Sequence, residues 1–133
     1  MCSILGFQGS SLTKEELKPF FDETISRGPD MQKMITVDGA VLGFERLSIM
    51  GLSESGMQPF GLNNNYVVCN GEIYGFRPIK EELSKKYTFV SESDCEILLP
   101  MYAEYGVDMF RMLDAEYACI IYDFENEQDR TDY

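Results

Sequence analysis

Two apolar stretches, residues 33–37 and 40–49, meet at Asp38-Gly39. That dipeptide constrains the fold more than any other feature of the 133-residue chain. Asp-Gly readily takes the positive-φ geometry of a two-residue hairpin turn, which matches the twist of flanking strands. The two stretches are therefore expected to be antiparallel neighbours, with one face needing cover. Helical signals lie on both sides. Thr13 and Glu16 have capping-box spacing, and Leu17, Phe21 and Ile25 share a face, so a helix is expected to about Ser26. Pro19 lies inside it and removes a ladder hydrogen bond. Ser93 and Glu96 repeat the spacing before a helix to about Tyr105, with Pro100 inside and Gly106 as its stop. Pro78 suits the first turn of a shorter helix to about Lys86, and 107–113 reads as a further helical turn or two. Strands are expected at 2–7, 66–69 and 117–122, a turn at Arg27-Gly28-Pro29-Asp30, and a loop over 51–65. The pattern predicts one α+β domain of layered sheets and helices.

Composition removes several function classes. The net charge is −12, which argues against nucleic acid and against anionic membrane surfaces. No apolar run is long enough to span a bilayer, and the N-terminus lacks a basic-then-apolar leader, so a cytoplasmic location is expected. Cys2, Cys69, Cys95 and Cys119 have no zinc-ligand spacing, and no histidine is present to complete a metal or haem site. Free thiols are expected rather than disulfides, and no metal site is assigned. A site made of carboxylates alone stays open, although no EF-hand loop occurs.

The chemistry starts at Met1-Cys2. Once an initiator methionine is removed, Cys2 carries a thiol and a free α-amine on one residue. A thiol needs a base to become a good nucleophile, and an α-amine with a pKa of about 7.7–8 can serve near neutral pH. With no histidine in the chain, the amine is the best candidate base. A small apolar residue entering a first strand is the plainer alternative. Asn70-Gly71 follows a strand; it is either a hairpin turn or an amide and a backbone N–H aimed together at an oxyanion. Arg46, inside an apolar strand, either pairs with a surface carboxylate or clamps a substrate carboxylate through its fork. Asp94 at a helix start either complements the helix dipole or, with Glu72, receives an ammonium. Taken together these groups describe an amino-acid amide such as glutamine.

At this point the chain resembles the N-terminal glutaminase domain of asparagine synthetase, a class II glutamine amidotransferase of the N-terminal-nucleophile hydrolase fold. The resemblance rests on Cys2-Ser3-Ile4-Leu5-Gly6, Arg27-Gly28-Pro29-Asp30, Glu45-Arg46-Leu47-Ser48-Ile49, Gln58-Pro59, Asn70-Gly71-Glu72-Ile73-Tyr74, Ser93-Asp94-Cys95-Glu96 and the strand ending Tyr122-Asp123. These segments fall in the family's order. The resemblance implies an αββα sandwich, with Cys2 as nucleophile and Asn70 and Gly71 as oxyanion hole. It implies Arg46 on the glutamine carboxylate, Glu72 and Asp94 on the ammonium, and Leu47 and Ile49 lining the pocket.

Three departures stand out. Ser26 replaces a family histidine, Gly75 an asparagine, and Ala115-Glu116-Tyr117 a Gly-Met-Phe run. The family domain also continues past the last strand and is followed by a synthetase domain, so this chain is expected to be a shortened, partial glutaminase domain spanning 1–133. No cofactor is expected in it; ATP and Mg belong to the synthetase domain. Expected partners are L-glutamine, a synthetase domain or subunit, and a second copy covering exposed strand edges. The rival function is a catalytically silent homologue acting as an interaction or regulatory module; a third is an acidic α+β domain whose motifs coincide by chance.

Overall fold

A computed structural model describes residues 2–47 and 56–124. Ile49, the end of the second apolar stretch, the start of the loop expected over 51–65 and most of the acidic end lie outside these residues. The elements run β1 Ser3–Gln8, α1 Lys14–Phe21, β2 Met31–Val37, β3 Ala40–Arg46, β4 Phe60–Leu62, β5 Asn65–Tyr74, α2 Phe76–Leu83, α3 Leu98–Tyr105 and β6 Asp114–Tyr122. Short 3₁₀ turns occupy Asp22–Arg27, Asp94–Ile97 and Gly106–Arg111.

The hairpin forms as the Asp38-Gly39 signal dictates. Val37 pairs with Ala40, Gly39 supplies a φ of +76°, and β2 and β3 continue in antiparallel register to Met31↔Arg46. β1 joins the other side of β3, giving a three-stranded sheet of order β1-β3-β2. The second antiparallel sheet has order β4-β5-β6. Its first turn uses Asn63 and Asn64 at φ of 52° and 67°. Asparagine tolerates that left-handed region, so the end of the Gly-, Ser- and Asn-rich stretch expected as a loop over 51–65 makes a hairpin instead.

Alternation along β5 decides what each face meets. Tyr66 and Val68 belong to an apolar cluster with Ile4 of β1, Ile35 of β2 and Leu42 and Phe44 of β3. Val67, Cys69 and Ile73 point the other way, into a cluster with Leu83 of α2, Leu98 and Met101 of α3, and Met109. On the outer face of the first sheet, buried Phe21 of α1 lies against Gly43, where a Cβ would sit only 2.7 Å from the ring. The sheets thus pack on each other with helices on their outer faces, an α+β architecture. Six core side chains, Val67, Val68, Ile97, Leu98, Met101 and Met109, are completely excluded from solvent, each worth roughly 1.5–3 kcal/mol of burial. Among the described residues no helix is long and apolar enough to cross a membrane.

Local departures from the sequence expectations have identifiable causes. Thr13 and Glu16 do form the capping box, but α1 ends at Phe21 rather than near Ser26. Pro19 deprives the ladder of one N–H, and the Thr24 hydroxyl sits 2.9 Å from the Phe21 carbonyl, so the next turn tightens to 3₁₀. Pro100 falls in the first turn of α3, where its missing N–H costs little. Glu96 does not complete the second capping box. Its carboxylate instead accepts from the Val90 and Ser91 N–H groups at 2.9 and 2.8 Å. Asn70-Gly71 makes no turn; β5 runs straight through it to Tyr74.

Candidate active site

One cleft of about 1140 Å³ is lined by Cys2, Arg46, Leu47, Asn70, Gly71, Glu72 and Asp94, among others. These are all the candidate site residues within the described part of the chain. They come from four places in the sequence, and the sheet registers, with the 3₁₀ turn that carries Asp94, explain why they meet.

β1 and β3 bring Cys2 and Arg46 to the same end. Ser3 pairs with Glu45, and one residue beyond that pair stand Cys2 on one strand and Arg46 on the other. Cys2 is half-buried, and its Sγ accepts the Leu47 N–H at 3.4 Å. The Arg27 Nε donates to the Cys2 carbonyl at 3.3 Å. The Arg27-Gly28-Pro29-Asp30 segment, read from sequence only as a turn, also supports Arg46. The Asp30 N–H donates to the Arg46 carbonyl at 3.0 Å, and Pro29 bridges to Arg46. Gly28 crosses so close that a Cβ would lie 2.3 Å from the Glu45 carbonyl. Gly56 faces the guanidinium; a Cβ there would approach Arg46 Nη2 to 3.2 Å.

Glu45 is fully buried. The Thr24 hydroxyl and the Gln32 amide hold its two carboxylate oxygens at 2.6 and 2.8 Å, and the Ser3 hydroxyl donates to Thr24 at 2.9 Å. This network ties β1, β2 and the 3₁₀ turn to the strand carrying Arg46. Sequence alone gives no sign of it, because the partners are scattered over 43 positions between Ser3 and Glu45.

β5 supplies Asn70, Gly71 and Glu72. Asn70 shares its face with Val68, which packs in the cluster that includes Cys2. Gly71 is placed by ladder parity. The Cys69 N–H donates to Gln58 Oε1 at 2.6 Å, and Gln58 Nε2 donates back to the Cys69 carbonyl at 3.1 Å. The Ile73 N–H donates to Asp94 Oδ2 at 2.7 Å. Alternate residues of an antiparallel strand turn their main-chain groups to opposite sides. Residues 69, 71 and 73 therefore aim their N–H groups at the edge beyond the end of β4, away from β6. The Gly71 N–H stands there between two clamped neighbours. A Cβ on Gly71 would lie 2.3 Å from the Glu116 carbonyl oxygen and 2.6 Å from the Tyr117 Cα, so no side chain fits.

The charges are uneven. Glu72 stands directly opposite Glu116 on β6, and Glu92 and Asp94 line the same cleft. The Tyr74 phenol shows the effect: Glu116 first, then partial burial, then Glu72 and Asp114 push its pKa above the ordinary tyrosine value. Against these stand two guanidiniums, Arg46 and Arg77, the latter 4.9 Å from the Phe76 ring centre. The cleft thus offers two cations, several anions, a thiol and, by ladder parity, the outward-facing Gly71 N–H. Among the described residues no group of side chains forms a metal site.

Two further cysteines, Cys69 and Cys95, also line the cleft but are buried. Cys69 pairs with Cys119 across β5 and β6, and all four thiols are unoxidised. A hydrogen bond to Cys69 and burial push the Cys95 thiol far up, with the Asp94 charge adding to both. Burial, then Cys69, raises Cys119 to about 11.

Comparison with known proteins agrees with this arrangement. Residues 1–130 match the family model described as a glutamine amidotransferase domain. The chain is 39% identical over 137 residues to a probable glutamine-hydrolysing asparagine synthetase of Acanthamoeba polyphaga mimivirus, covering 96% of this chain and 24% of that protein. It is 32% identical to the glutamine-hydrolysing asparagine synthetase B of Escherichia coli, again over 96% of this chain and 24% of the relative. It is 38% identical to amidase chyE of Penicillium rubens, over 82% of this chain and 16% of that protein. The chain spans about a quarter of the length of the synthetases it matches. A match over nearly every residue, together with relatives of this similarity, places the chain in the glutamine amidotransferase domain family, in the branch shared with asparagine synthetases.

Proposed function

We infer that the cleft hydrolyses L-glutamine to glutamate and ammonia. The observation that carries this reading is the meeting of Cys2, Arg46, Asn70-Gly71, Glu72 and Asp94 in one cleft, from segments far apart in sequence. With Met1 removed, the Cys2 α-amine takes the thiol proton, and the thiolate attacks the side-chain carboxamide carbon. The carbonyl electron pair moves to oxygen, where the Asn70 amide and the Gly71 N–H receive it; each such donor is worth about 2.7–4 kcal/mol. The tetrahedral intermediate collapses with loss of ammonia, which leaves with the proton held by the α-ammonium. Water, deprotonated by the same amine, then cleaves the γ-glutamyl thioester and returns Cys2.

Arg46 holds the substrate carboxylate through its fork, and Glu72 and Asp94 receive the ammonium. Leu47 and Ile49 line the pocket. Asp94 has a second duty, since one of its oxygens already accepts the Ile73 N–H. The two packed antiparallel sheets with outer helices support an N-terminal-nucleophile hydrolase sandwich. The ammonia is delivered to a synthetase domain or subunit, and the ATP and Mg that activate its acceptor are bound there. The chain works as the ammonia-supplying unit, in the cytoplasm.

The test is a steady-state glutaminase assay on chain whose intact mass shows loss of Met1. Glutamate release abolished by Cys2→Ala supports the reading. A correctly processed wild-type chain that releases none contradicts it and favours a silent interaction module.

A further inference from the structure

We propose that Gln58 is a positioning residue for the oxyanion-binding N–H of Gly71. The inference rests on the glutaminase reading above. Three observations carry it. Gln58 is only 3% exposed, so its carboxamide has no water to satisfy it and must find protein partners. It finds both on one residue, accepting the Cys69 N–H at 2.6 Å and donating to the Cys69 carbonyl at 3.1 Å. And β4 begins only at Phe60, which pairs with Val67, so the next outward-facing position along that edge of β5, Cys69, has no β4 residue to bond to. The Gln58 side chain takes the place of that missing strand residue, as a backbone would.

The consequence falls on Gly71. Its N–H projects from the same edge two residues on, with Ile73 anchored beyond it by Asp94 at 2.7 Å. Held at Cys69 and at Ile73, the intervening peptide cannot rotate. A donor aimed at an oxyanion earns its effect by being fixed before the reaction, since reorientation during the step would consume the gain. Gln58 lines the cleft, but both polar ends of its side chain are engaged by the Cys69 main chain, so its loss is expected to act on turnover more than on glutamine affinity.

Two substitutions separate the idea from a merely structural role. Gln58→Met keeps the volume and removes both hydrogen bonds. It is expected to lower kcat about 10- to 100-fold while KM changes less than threefold, a fraction of the loss from removing an oxyanion donor outright. Gln58→Glu accepts the Cys69 N–H but, when ionised, repels the Cys69 carbonyl; protonated, it restores both bonds. Its kcat relative to wild type should therefore rise as pH falls through the glutamic acid pKa, which burial elevates. Amide NMR gives a readout free of activity: in Gln58→Met the Cys69 N–H should lose exchange protection and the Gly71 N–H signal should shift, in processed wild-type background. Unchanged kcat with a lowered Tm, a parallel change in kcat and KM, or an unmoved Gly71 signal would each overturn the proposal. If the wild-type chain does not hydrolyse glutamine, the functional reading fails, and the Gly71 signal alone decides whether Gln58 holds the strand.

Discussion

Gly71→Ala is the substitution whose effect the geometry fixes most tightly. The added methyl would lie 2.3 Å from the Glu116 carbonyl oxygen, about 1 Å inside the 3.4 Å at which ordinary contact begins. The second obstacle, the Tyr117 Cα at 2.6 Å, is also main chain, so no side chain can swing aside. β5 and β6 must part locally, and overpacking of this kind costs about 1–3 kcal/mol. For a chain of this length each kcal/mol lowers Tm by roughly 3–5 °C. Activity should suffer more. Displacing the N–H by that distance removes most of its bond to the oxyanion, a loss of about 10²–10³ in kcat. The assay is glutamate release alongside a thermal melt, with Gly75→Ala as comparator. Gly75 has a φ of +64° and open space around its Cβ position, so it should lose about 1–2 kcal/mol to left-handed strain while kcat stays within twofold. A Gly71→Ala protein with wild-type Tm and wild-type kcat would refute both the close approach and the role of the N–H.

Other outcomes follow from the same geometry. Arg46→Ala should raise the KM for glutamine at least tenfold and leave Tm within a few degrees, measured by kinetics and melting; equal losses of both would mark Arg46 as structural. Glu45→Ala removes a fully buried acceptor shared by Thr24 and Gln32, leaving them only the Phe21 carbonyl and Asp22, and should cost about 1–3 kcal/mol by chemical denaturation. Cys119 keeps its proton to about pH 11 in the fold, against 9.0 for an ordinary thiol. The folded chain thus holds a proton that the unfolded chain releases, so this contribution is intact below pH 9 and disappears as pH rises toward 11. Cys119→Ala should flatten that alkaline fall in Tm.

The sequence carried the fold wherever a turn or cap had its own chemistry. Asp38-Gly39, Thr13 with Glu16 and Gly106 all act as their residue types predict. It failed where a neighbour in space decides. Asn70-Gly71 has the composition of a turn, but β6 pairs with it through Ala118 and Tyr117 and keeps β5 extended. The Asn63-Asn64 hairpin was hidden because β4 has only three residues, too few for alternation to register. The site divides in the same way. Groups proposed to act on a ligand are chemically conspicuous: a terminal thiol, an arginine in an apolar strand, an Asn-Gly pair. Groups that hold them are not. Gln58, Glu45 and Gly28 work through contacts with residues 11 to 21 positions away, and only the folded registers reveal those contacts.

The central claim is that Cys2 forms a γ-glutamyl thioester once its own amine is free. Acid quenching during turnover, followed by intact-mass and peptide mass analysis, tests it directly. The account predicts a γ-glutamyl adduct on the N-terminal peptide of processed chain, and none on chain that retains Met1. An adduct on Cys69, Cys95 or Cys119, or equal turnover with Met1 retained, would contradict it.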